Sequence, residues 1–69
     1  MGRVSLERER RAWLRAMDAH ERAAVLHDDA AVLHARVGEP QRAAVERDRA
    51  ERERNRYADA LAKHPEWAP

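Results

Sequence analysis

Three histidines, His20, His27 and His34, recur every seven residues in this 69-residue chain. Imidazole titrates near neutrality, ligates metals and relays protons, so this row carries the most chemical promise. Its spacing narrows that promise. Residues seven apart lie about 10.5 Å apart along a helix, too far to share one ion. A chelating pair within one helix needs i, i+4 spacing, and no two histidines here have it. No metal site is therefore expected from one helix alone. His20, His27 and His34 stay metal candidates only where a second copy brings further ligands alongside.

Other catalytic constellations are missing from the sequence. There is no Cys or Thr, and the only serine, Ser5, reads as a helix cap. No glycine-rich loop can cradle a phosphate. No Glu-x-x-His motif of the di-iron kind occurs, and Asp59 and Glu66 beside His64 do not supply one. The expectation is a non-enzyme without a cofactor. Arginine supplies 13 of 14 basic residues, against 13 acidic ones, for a net charge of +1. Phosphate binding needs arginines on one face, whereas Arg47, Arg49, Arg52, Arg54 and Arg56 are interleaved with Asp48, Glu51 and Glu53. Nucleic acid is accordingly not the expected partner, although an arginine-rich nucleic-acid binder is one alternative. No apolar run is long enough to span a membrane, and no signal-peptide core follows Met1; a cytoplasmic protein is expected.

The elements that must position the histidines are helices. Ala, Arg, Glu and Leu dominate, all strong helix formers. A first helix is expected over about 5–37, after a flexible segment 1–4, with a turn at 38–39. Gly38 supplies a left-handed cap and Pro40 a first helical residue whose missing N–H is no loss. A second helix runs over about 40–64, and a tail follows over 65–69. Antiparallel folding about the turn places positions summing to about 78 side by side. The fold class is all-α, a two-helix hairpin dimerising into a four-helix bundle.

Helix 1 carries two heptad-spaced seams. Ala12, Ala16, Ala19, Ala23, Leu26, Ala30, Leu33 and Val37 form one; Leu26, Leu33 and Val37 are assigned to packing within the hairpin, against Ala43, Ala50, Tyr57 and Leu61. The other holds Leu6, Trp13, Met17, His20, Ala24, His27, Ala31 and His34, and is assigned to the interface between copies. Equal spacing on either side of His27 suits a two-fold axis there, with His27 meeting its own copy and His20 the partner's His34. Two places are open to Trp13: beside Trp67, if the tail folds back, or against another subunit.

Gly38-Glu39-Pro40-Gln41-Arg42-Ala43, followed by Ala50, resembles the turn and second helix of a tetratricopeptide unit. The resemblance covers about 13 residues. Helix 1 is about twice too long for such a unit, and no second repeat follows. What the resemblance implies is a protein-interaction role. The functional expectation is a self-associating helical hairpin acting as a structural or protein-interaction module, with a homo-oligomer and a protein partner. The alternative is a metal-binding or pH-sensing protein built on the histidine row.

Overall fold

The computed structural model describes residues 2–68, with side chains from residue 5 onward. Two long helices, α1 (Gly2–Arg36) and α2 (Pro40–Lys63), pack against each other as a hairpin. A 3₁₀ turn follows at Pro65–Trp67. The rod measures 54 × 16 × 16 Å, and its length is that of α1, since 35 residues at 1.5 Å each give about 52 Å.

The link is tight because a Schellman motif ends α1. Glu39 N–H donates to His34 C=O at 2.8 Å and Gly38 N–H to Ala35 C=O at 3.2 Å. Gly38 sits at φ +77°, where a Cβ would be strained. Pro40 opens α2 at once, and Ala43 N–H reaches Glu39 C=O at 3.0 Å. At the far end, His64 N–H closes the last turn onto Ala60 C=O and Pro65 stops the helix.

Two expected boundaries move. The segment 2–4, expected to be irregular, belongs to α1, so Ser5 lies inside the helix and caps nothing. No proline or interior glycine separates Arg3 from Leu6, so nothing in the sequence forces a start at Ser5. The tail, also expected to be irregular, instead forms the turn Pro65–Trp67. His64 and Trp67 stack at 4.0 Å, and both rings meet Trp13 edge-on at 6.0 and 5.8 Å. Aromatic pairs in such geometries stabilise by about 0.5–1.5 kcal/mol beyond their area, enough to hold a short tail over the open end of the hairpin.

The larger correction concerns which face of α1 turns inward. Met17, Ala24 and Ala31, assigned above to contacts between copies, are the buried residues of α1, and Ala43 and Ala50 those of α2. Leu26, Leu33 and Val37, assigned to the hairpin interior, are exposed. Leu26 lies two residues from Ala24, and Leu33 two from Ala31; two residues are about 200° around a helix. Burying the alanine row therefore turns the leucine row outward. Four alanines at the contact let the helix axes approach closely, and side chains on both flanks can then reach across.

Candidate interaction site

What reaches across on one flank is a ladder. His34, His27 and His20 descend α1 in steps of seven; Glu39, Glu46 and Glu53 ascend α2 in the same steps. In an antiparallel hairpin the two rows come into register. His20 Nδ1–H donates to Glu53 Oε2 at 2.6 Å, His27 Nδ1–H to Glu46 Oε2 at 2.6 Å, and His34 Nδ1–H to Glu39 Oε1 at 3.3 Å. The second oxygen of each carboxylate takes an arginine three residues on: Arg56 on Glu53 and Arg49 on Glu46, both at 2.8 Å, and Arg42 on Glu39 at 3.0 Å. One His–Glu–Arg unit thus repeats three times along the rod. Arg54 and Asp28 pair on the opposite flank.

The ladder explains the choice of inner face. Turning Leu26, Leu33 and Val37 toward α2 would cost Glu46 and Glu53 their histidine hydrogen bonds and leave each carboxylate with only the arginine of its own helix. It also replaces the histidine geometry anticipated above. The imidazoles of His20, His27 and His34 each meet a glutamate of their own chain. Among the described residues no three His, Cys, Asp or Glu side chains group as metal ligands. Each rung offers one imidazole, and the next is about 10.5 Å away.

Hydrogen bonding from His27 holds the Glu46 carboxyl below its usual 4.5, with help from the Arg49 charge. His20 does the same for Glu53, helped by Arg56. Carboxyls depressed by folding favour the folded state above their unfolded value, and that contribution is lost as pH falls through the folded values. The thermal midpoint should therefore decline as pH drops below 4.5. Glu46→Gln/Glu53→Gln should flatten that decline, as read by circular dichroism melts. Parallel acid limbs for parent and variant would exclude the ladder as its source.

The remaining assigned residues fall in four places. Trp13, Tyr57 and Leu61 are half-buried along the hairpin seam, and Leu6 is exposed near the start of α1. Gly38 and Pro40 form the turn. Leu26, Leu33 and Val37, at 68%, 61% and 61% exposure, lie on the back of α1, with Val25 and Val32 at one edge. Sequence reasoning missed Glu39, Glu46 and Glu53 as partners of the histidines. Their sevenfold spacing mirrors the histidine row and was the available signal.

Comparison with protein-family models, curated proteins and solved structures gives no match. Among the described residues, no helix is long and apolar enough to cross a membrane.

Proposed function

We propose that this chain is a small interaction module that works by self-association, a cytoplasmic helical hairpin whose activity is to present and pair surfaces rather than to transform a substrate. The observation that carries this reading is an inverted distribution of apolar side chains. Met17 and four alanines make up the buried core, while Leu6, Val25, Leu26, Val32, Leu33, Val37 and Val45 are all about half exposed or more. Leaving these seven side chains about half in water forgoes roughly 1 kcal/mol for each, about half of what full burial gives. Leu26, Leu33 and Val37 recur along one side of α1, and exposed apolar surface of this kind marks an interaction site.

Shape supports the same reading. The radius of gyration is 15.7 Å, against about 11 Å for a compact chain of this length. The surface exposed is 5463 Å², where a compact monomer of this mass exposes about 4,500 Å². The excess of roughly 1,000 Å² is surface that the elongated shape leaves open to a neighbour's contact. Sedimentation equilibrium at tens of micromolar should give a mass of two chains or more, with a melting temperature that rises with concentration. A single-chain mass throughout, with a concentration-independent cooperative melt, would overturn the reading.

A further inference from the structure

We infer that a groove on the flank opposite the ladder binds a carboxylate carried on an apolar stem, held between Arg36 of α1 and Arg47 of α2. The inference does not depend on self-association.

The period of that flank carries the argument. Arg54 of α2 pairs there with Asp28 of α1. The helices run antiparallel, so a step of seven along both repeats the same relation one level nearer the turn. Arg47 lies seven before Arg54, and residue 35 lies seven after Asp28; residue 35 is alanine. The chain thus supplies the arginine of a second cross-helix pair and sets a methyl group at the position of its acid. Arg47 forms no ion pair among the described residues, and neither does Arg36, beside Ala35. Arg36 sits in the last turn of α1, where its charge suits the helix dipole whether or not its guanidinium is engaged. Both arginines line one groove of about 490 Å³, together with Asp28, Ala31, Val32 and Ala35.

The lining sets the chemistry. A guanidinium presents parallel N–H donors that match the two oxygens of a carboxylate. Ala31, Val32 and Ala35 give the stem an apolar surface to lie on. Asp28 limits the charge that can enter, since a phosphate dianion would face its carboxylate, whereas one carboxylate sets a single negative charge between two positive ones. A free fatty acid and an acidic residue of a partner protein both carry such a group.

Hexanoate and the blocked peptide acetyl-Val-Leu-Glu-amide, titrated separately into isotope-labelled protein and followed by NMR, test the site and distinguish the sources. Saturable shifts are expected at the Arg36 and Arg47 Nε–H and at Val32, with Arg49 and Arg52, which hold acids of their own helix, left in place. Saturation at lower concentration by hexanoate identifies a fatty acid as the better occupant, and by the peptide a partner's acidic residue. Arg47→Gln should weaken binding about fivefold or more. Ala35→Asp completes the pair within the chain and should abolish binding by competition. Arg47 and Ala35 are both exposed, so each variant should melt as a folded hairpin. Shifts that do not saturate, shifts shared equally with Arg49 and Arg52, or parental affinity in Ala35→Asp would overturn the inference.

Discussion

Ala50→Leu should be among the most damaging single changes in the molecule. Ala50 is 0% exposed, with Ala43 at 1% and Ala24 and Ala31 at 3%, so there is no room for three more heavy atoms between the axes. Overpacking costs about 1–3 kcal/mol where neighbours can repack. Here the neighbours are backbone and alanine, and separating the helices also lengthens the His27–Glu46 and His20–Glu53 hydrogen bonds. A cost near the upper end of that range would lower the melting temperature by on the order of 10 °C in a chain this small. The same substitution at Ala44, which is exposed on α2, should change it by no more than the ~0.5 kcal/mol of an ordinary surface change. Equal melts for the two variants would show that the helices are not held at alanine distance.

Trp13→Ala should be the other large loss, and Trp13→Phe should separate its causes. The Trp13 ring packs edge-on to both His64 and Trp67 and closes the open end of the hairpin. Removing a fully buried ring costs about 3–5 kcal/mol; Trp13 is half-buried, so a loss of about 2–3 kcal/mol is expected. Its indole Nε1–H is covered and has no hydrogen-bond partner among the described residues. A covered donor without a partner costs about 1–3 kcal/mol. Phenylalanine keeps most of the ring and discards that donor, so its net effect should lie within about 1 kcal/mol of the parent. A Trp13→Phe protein as unstable as Trp13→Ala would show that the indole nitrogen is satisfied and the ring contacts secondary.

The hairpin was legible because its signals are local. Composition marks helix, and Gly38 followed two residues later by Pro40 marks where one helix stops and the next begins; both act within a turn of chain. The choice of inner face was not local. Judged by α1 alone, the seam with two leucines and a valine looks like the better core and the alanine–histidine seam like the lesser one. The balance shifts only when α2 is laid alongside and its glutamates fall opposite the histidines. On α2 alone, Glu46 and Glu53 are two acids among arginines; with α1 alongside, they are half of a ladder. Hydrophobicity ranks faces one helix at a time, whereas hydrogen-bond complementarity exists only between two.

The ladder also bears on how fast the chain can find its fold. Its rungs join residues 5, 19 and 33 positions apart, beginning at the turn. The entropy lost on closing a loop grows with the length of chain still free when the ends meet. Once His34 and Glu39 are joined beside Gly38, the free chain to the His27–Glu46 rung is seven residues on each strand, and the same holds for the rung after it. Each closure is therefore a short search of similar cost, however distant the residues are in sequence. The expected order of closure runs from the turn outward, with the Trp13, His64 and Trp67 rings meeting last, and folding in the microsecond-to-millisecond range of helical proteins with low contact order is the expected result.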